Sequence, residues 1–137
     1  MAKGKTAQVR RSEARLHLEK AVQFLEQAQS GLLANRHDAA LLDAIHAAIS
    51  ATDAATIALG GVRSTDPDHQ RAADLLEEVA AAPEGRERAR QLRALLARKN
   101  SVEYESRRAT TKDARDGVER AGRITAWAKD TLVKARL

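Results

Sequence analysis

The chain has 137 residues, with 24 Lys and Arg against 19 Asp and Glu, a net charge of +5, and no cysteine. Its length suits one domain that folds without cross-links, and the lack of cysteine excludes a disulfide framework and Cys-based zinc sites. Because it has no run of about 18 uncharged apolar residues, no membrane span is predicted, and its basic start lacks the apolar segment of a signal peptide. We therefore expect a cytoplasmic protein that does not contact a membrane.

Residues 1–11 are expected to form a flexible basic N-terminus, and residues 12–137 a single helical domain. The first helix is predicted from about residue 12 to 34, where apolar residues recur at steps of three and four. The second is predicted from about residue 39 to 59, with Asp38 as its N-cap and two glycines at its end. Because this second helix is apolar on nearly every side, we expect it in the middle of a bundle.

Three further helices follow from the same periodicity. The third begins with Pro67 at its first helical position, where the missing N–H costs nothing. The fourth covers about residues 84 to 104 and has arginines crowded on one side. A polar gap separates it from the fifth, which Thr110 or Thr111 caps and whose first turn contains Asp113. The sequence thus predicts an all-α fold, an antiparallel bundle of about five helices.

A narrow polar line interrupts the apolar second helix. His46, Ser50 and Asp53 follow one another at steps of four and three residues, so they share one face. Either these side chains satisfy each other inside the bundle, or they line a cleft. The spacing of the four histidines fits no metal site, so neither a metal nor another cofactor is predicted.

A second polar group stands at the end of the fourth helix. It comprises Arg98, Lys99, Asn100, Glu103 and Tyr104. A guanidinium and an ammonium beside an amide are suited to holding a phosphate. The alternative is a solvated helix end with an Arg–Glu pair that contributes little to stability. If the first interpretation holds, His46, Ser50, Asp53 and Lys99 would line the cleft.

Three stretches together resemble the HEPN superfamily, small helical-bundle domains of prokaryotic toxin–antitoxin and phage-defence systems. They are the Ala-rich residues 43–51, residues 68–76, and residues 95–104 with the polar gap and long helix that follow. The resemblance implies a homodimer. In catalytic members an Arg-x4-6-His motif forms a metal-independent ribonuclease site, which two facing subunits complete.

The match to that motif is incomplete. Arg98 takes the place of the arginine and Asn100 lies near the expected polar residue, whereas Glu103 or Tyr104 stands where the histidine should fall. Another register puts Lys99 at the arginine position. The missing histidine is the group expected to move a proton near pH 7. His46 is the one histidine expected to reach the same cleft.

The leading interpretation is a HEPN-like homodimer of a defence or toxin–antitoxin system that does not catalyse. It would bind RNA, a nucleotide or a protein, for example a cognate antitoxin or the product of a neighbouring gene. A second interpretation is an active metal-independent ribonuclease with a divergent Arg-x4-Glu or Arg-x5-Tyr site. Its catalytic residues would be Arg98, Asn100, Glu103 and Tyr104. A third is a helical adaptor or scaffold without a nucleic-acid role.

Overall fold

The structure, a computed structural model, describes residues 4–137, and five α-helices make up most of them. The helices are α1 (Ala14–Leu33), α2 (His37–Gly60), α3 (Gln70–Val79), α4 (Pro83–Tyr104) and α5 (Thr111–Lys134). Two short strands are also present, β1 (Thr6–Gln8) and β2 (Val62–Ser64), and one turn of 3₁₀ helix precedes α1. The predicted all-α bundle of about five helices is confirmed. None of these helices is long and apolar enough to cross a membrane.

Helix α2 lies in the middle of the bundle, as its apolar surface predicts. It packs against each of the other four helices, whereas α1 contacts neither α3 nor α4. Eight alanines of α2 are completely buried, and such small side chains let neighbouring backbones come close. At Gly31 of α1, for example, the Cα of Ala40 lies 3.4 Å from the point where a Cβ would stand.

The helices do not simply alternate in direction along the chain. Gly31 of α1 contacts Ala40, and Ala14 packs against Ile57, so α1 and α2 are antiparallel. Helix α5 runs parallel to α2, because Gly117 contacts Leu41 and the later Leu132 packs against Ile57. Helices α2, α3 and α5 therefore share one direction, which α1 and α4 oppose.

The segment from residue 61 to 69 makes this arrangement possible, because it runs back along α2. Gly61 ends α2 in the left-handed conformation, with φ 63°, as the sequence predicts. Arg63 of β2 then lies 4.0 Å from Asp53, and His69 comes within electrostatic range of His46. The chain has by then returned to the middle of α2, and α3 can start there.

The β1 strand is part of the segment for which the sequence predicts a flexible N-terminus; residues 1–3 of that segment lie outside the described residues. β1 pairs antiparallel with β2, Ala7 facing Arg63. The N–H of Val9 donates to the carbonyl of Gly61 at 2.8 Å, and the N–H of Lys5 donates to the Asp66 carboxylate at 3.1 Å. These bonds satisfy backbone groups that an isolated strand would leave unpaired.

Two predicted helix starts are wrong and one is confirmed. Helix α3 begins at Gln70 and not at Pro67, because the carboxylates of Asp66 and Asp68 each accept a backbone N–H two residues ahead and hold a turn. Asp38 does not cap α2; it lies in the first turn, and its carboxylate accepts the N–H of Ala109 at 2.7 Å. The predicted Thr110 cap of α5 is present as a full capping box with Asp113.

Candidate functional site

The charged side chains in the last two turns of α4 form two separate ion pairs. Arg98 forms an ion pair with Asp113 at the start of α5. Lys99, one residue later and about 100° further round the helix, forms an ion pair with Glu103 at 2.8 Å. Because Arg98 and Glu103 have different partners, the end of α4 contributes to two polar groups. We call the group that contains Arg98 the arginine pocket, and the group that contains Lys99 and Glu103 the histidine cluster.

The arginine pocket is a cavity of about 200 Å³ where α2, α4 and α5 meet the α4–α5 link. Its polar lining comes from both sides of that link. The lining includes Leu41, Arg98, Ser101, Arg107, Arg108 and Asp113. Three guanidinium groups therefore surround one cavity, and guanidinium groups match the geometry of phosphate oxygens.

The arginines of this pocket differ in whether an ion pair fixes their side chains. Hydrogen bonds to the carboxylate from the backbone of Thr110 and from Arg98 lower the pKa of Asp113, so this residue stays ionised and fixes Arg98. The Arg107 and Arg108 side chains are exposed and form no ion pair within residues 4–137. Two guanidinium groups thus remain available for a ligand.

The pocket belongs to the basic part of the chain. Residues 83–137 contain 15 Lys and Arg against 8 Asp and Glu, whereas residues 1–82 contain 9 against 11. The positive excess of the protein therefore lies entirely in α4, α5 and their link. An anionic ligand would be attracted to this part of the surface first.

The histidine cluster joins three elements on the other side of α4. His46 comes from α2, His69 precedes α3, and Lys99 and Glu103 come from α4. The His46 ring lies against Phe24 of α1, with centroids 5.4 Å apart. The cluster therefore depends on the return of residues 61–69 along α2.

The charges of this cluster are set by its neighbours. Burial lowers the pKa of His69, and the nearby Lys99 and His46 lower it further, so His69 is neutral at pH 7. A hydrogen bond from Lys99 lowers the pKa of Glu103, and the neighbouring Tyr104 hydroxyl and His46 act in the same direction. A carboxylate held in its ionised form in this way is a weak proton acceptor.

The three residues of the polar line of α2, His46, Ser50 and Asp53, do not all lie in the same polar group. Ser50 and Asp53 are buried, and Asp53 faces Arg63 of β2 and Lys20 of α1. Burial outweighs the attraction of both cations and raises the pKa of Asp53 to about 7. Of the three residues on this line, only His46 takes part in the histidine cluster.

The other predicted residues lie at the surface. The Asn100 side chain is exposed, and Tyr104 is 75 % exposed at the C-terminal end of α4. Tyr104 is the last residue of α4, before the link that carries Arg107 and Arg108. It does not line the arginine pocket, and its hydroxyl interacts with Glu103 of the histidine cluster. An exposed aromatic ring is a typical platform for stacking a base.

Sequence reasoning missed five polar residues of these two groups: Ser101, Arg107, Arg108 and Asp113 of the arginine pocket, and His69 of the histidine cluster. Arg107 and Arg108 lie in the polar gap, where their adjacency to the charged helix end was the available signal. His69 gave no signal, because its approach to His46 depends on the path of a loop. The expectation that His46 alone reaches the α4 end is therefore wrong, since His69 does so as well. No group of three or more His, Cys, Asp or Glu side chains in residues 4–137 is placed to hold a metal ion.

Comparison with known proteins identifies the family. A model of the HEPN domain matches residues 14–131, from the first residue of α1 to within three residues of the end of α5. No curated protein matches the chain. The family model covers all five helices, including both polar groups at the end of α4, and it agrees with the resemblance seen in the sequence. The chain therefore belongs to the HEPN domain family.

Proposed function

We propose that this HEPN domain is a non-catalytic module that binds single-stranded RNA at the end of α4. The observation that supports it is the meeting of Arg98, Arg107 and Arg108 around one cavity. The exposed ring of Tyr104 lies at the same end of α4. The guanidinium groups supply phosphate contacts, and the ring supplies a stacking surface for one base. Neither contact requires a particular base, so binding would depend little on sequence.

The geometry of the divergent motif supports a binding role over a catalytic one. Arg98 is paired with Asp113 and Glu103 with Lys99, so these two residues do not act on a common atom. The lowered pKa of Glu103 also makes it unsuited to remove a proton from a ribose hydroxyl. Tyr104 can donate a hydrogen bond or stack, which are binding contacts.

The double variant Arg107→Ala/Arg108→Ala is expected to lose at least about tenfold in affinity for a fluorescently labelled RNA of about 12 nucleotides. Two phosphate contacts would disappear, so the slope of log affinity against log salt should also fall by about 1.4. Fluorescence anisotropy at about 50 and about 200 mM salt measures both quantities.

The matched control is Arg90→Ala/Arg123→Ala, which removes the same charge elsewhere. Arg90 pairs with Glu87 and Arg123 with Glu119, on exposed helix surfaces outside the pocket. The control is expected to bind almost as well as the wild type. Equal losses in both double variants would mean that net charge alone attracts the RNA. Absence of binding by the wild type at low salt would leave the helical adaptor as the better interpretation.

A second candidate function is metal-independent RNA cleavage at the histidine cluster, with residues other than those of the divergent motif. The supporting observation is that two imidazoles from separate elements lie near Lys99. Neutral His69 is the form that accepts a proton from the 2′-hydroxyl as its oxygen attacks the adjacent phosphorus. Lys99 would stabilise the negative charge that develops on the phosphate. The bond from phosphorus to the 5′-oxygen of the next nucleotide breaks, and that oxygen leaves with a proton taken from water.

For this candidate, cleavage in the presence of a chelator should drop at least about a hundredfold in His69→Gln. His17→Gln is the control, because His17 lies near Lys20 and Arg63 and not in the cluster. Mass spectrometry of the RNA ends measures the products, which should carry a 2′,3′-cyclic phosphate. RNA that stays intact with the wild-type protein for hours removes this candidate and leaves the binding role in place.

Membership of the HEPN family supports two further proposals about the setting. The chain is proposed to form a homodimer, and to work in a prokaryotic defence or toxin–antitoxin system with a cognate antitoxin or the product of a neighbouring gene. Light scattering of the purified chain at several concentrations tests the first. A neighbouring gene for an antitoxin-like or nucleotidyltransferase-like protein would support the second, whereas phage structural genes there would oppose it.

A further inference from the structure

We infer that the arginine pocket takes a terminal phosphomonoester rather than an internal phosphodiester of RNA. This inference specifies the ligand of the proposed function. It rests on that function where the phosphate belongs to an RNA end. The chemical group recognised is a phosphate with a single ester bond. It occurs at a phosphorylated RNA end and also on a free mononucleotide, and the experiment below separates these two sources.

The size of the pocket is the first argument. Its volume of about 200 Å³ is below the range of about 300–1,000 Å³ typical of pockets for drug-sized ligands. A cavity of this size suits a phosphate with part of one sugar. An internal phosphodiester has a nucleoside on both sides and would lie across the open surface instead.

The charge of the pocket is the second argument. Among the side chains that line the pocket, three guanidinium groups and the ionised Asp113 leave an excess of two positive charges. The Asp38 carboxylate lies next to the pocket, on the N–H of Ala109. A phosphomonoester carries between about −1.5 and −2 at pH 7, and this matches the excess of the lining side chains. A phosphodiester carries one negative charge and matches half of it.

The arrangement of donors is the third argument. Asp113 fixes Arg98 on the α5 side, whereas Arg107 and Arg108 come from the link and form no ion pair within the part of the chain that the structure describes. Ser101 adds a hydroxyl from α4. Donors from two elements thus line one cavity, as a phosphate with three free oxygens requires. The exposed Tyr104 ring, at the same end of α4, offers a surface on which the first base of an RNA end would stack.

The test compares three RNAs of one sequence, which carry a 5′-phosphate, a 3′-phosphate or no terminal phosphate. One phosphorylated form is expected to bind the wild-type protein at least about tenfold more tightly than the unphosphorylated form. This preference should disappear in Arg107→Ala/Arg108→Ala and persist in Arg90→Ala/Arg123→Ala. Circular dichroism verifies that each variant is folded.

A competition arm with adenosine monophosphate and with adenosine identifies the source of the phosphate. Displacement of the phosphorylated RNA only by a large excess of the monophosphate supports an RNA end as the ligand. If no RNA binds but the monophosphate does, and the Arg107→Ala/Arg108→Ala variant loses it, the phosphomonoester pocket stands and the proposed RNA binding fails. Equal affinity for all three RNAs, with no competition by the monophosphate, overturns the inference and leaves the RNA-binding role intact.

Discussion

The variant Asp53→Asn is expected to be more stable than the wild-type protein at about pH 8, by about 2 kcal/mol in the free energy of unfolding. Asp53 is buried in α2, and its closest cation is the Arg63 guanidinium at 4.0 Å. Burial raises the pKa of this carboxyl from 3.8 to about 7, although Arg63 and Lys20 act in the opposite direction. The ionised form is therefore tolerated in the folded protein at a cost, and asparagine removes that cost.

The direction of the pH dependence follows from the two protonation states. The unfolded chain releases this proton near pH 3.8 and the folded chain near pH 7. Between these values the folded state holds a proton that the unfolded state lacks, so the stability of the wild type falls as the pH rises through this window. At about 1.4 kcal/mol per pKa unit, the full cost above pH 7 has an upper bound of about 4 kcal/mol.

Urea unfolding at about pH 5 and about pH 8 measures the effect as a difference between variant and wild type. The gain should be largest at the higher pH and shrink to well under half of that value at the lower one. It should vanish only below pH 3.8, where Asp53 is neutral in both the folded and the unfolded state. Asp43→Asn is the matched control, since Asp43 lies on the same helix but is much less buried. Its effect should stay within about 0.5 kcal/mol. An Asp53→Asn protein less stable than the wild type at the higher pH would show that the Arg63 contact outweighs burial.

Features of the fold that depend on near neighbours in sequence could be predicted, and features that depend on distant contacts could not. The Thr110 cap was visible because its partner, Asp113, is three residues away. Asp38 has the right side chain for a cap, but its carboxylate bonds Ala109, 71 positions away. No local pattern distinguishes these two uses of an acidic or hydroxyl side chain at a helix start.

The candidate site follows the same rule. The charged end of α4 was visible as a run of polar residues after an apolar helix, and both Arg98 and Lys99 do take part in polar groups there. The division between two groups depends on which element packs on each side of α4. His69 reaches its place only because the chain returns along α2 and β2 pairs with β1. Such a path leaves no periodicity in the sequence.

The variant Gly85→Ala is expected to destabilise the protein by about 2 kcal/mol, although alanine is the better helix former. Gly85 is buried in the first turn of α4, just after the three-residue link from α3. A Cβ there would stand 1.9 Å from the carbonyl oxygen of Ala80 and 2.8 Å from its carbonyl carbon. Backbone atoms cannot rotate away as a side chain does, so the junction between α3 and α4 must open.

The chain contains its own control for the helix-forming contribution. Gly122, in the interior of α5, has nothing within 4 Å of the point where a Cβ would stand. Gly122→Ala should therefore stabilise the protein by about 0.5–1 kcal/mol through the backbone entropy that glycine loses on folding. Thermal and urea unfolding of the two variants should move in opposite directions from the wild type. The preference of helices for alanine applies equally at Gly85 and Gly122. A Gly85→Ala protein more stable than the wild type would therefore mean that the α3–α4 junction relaxes at almost no cost in free energy.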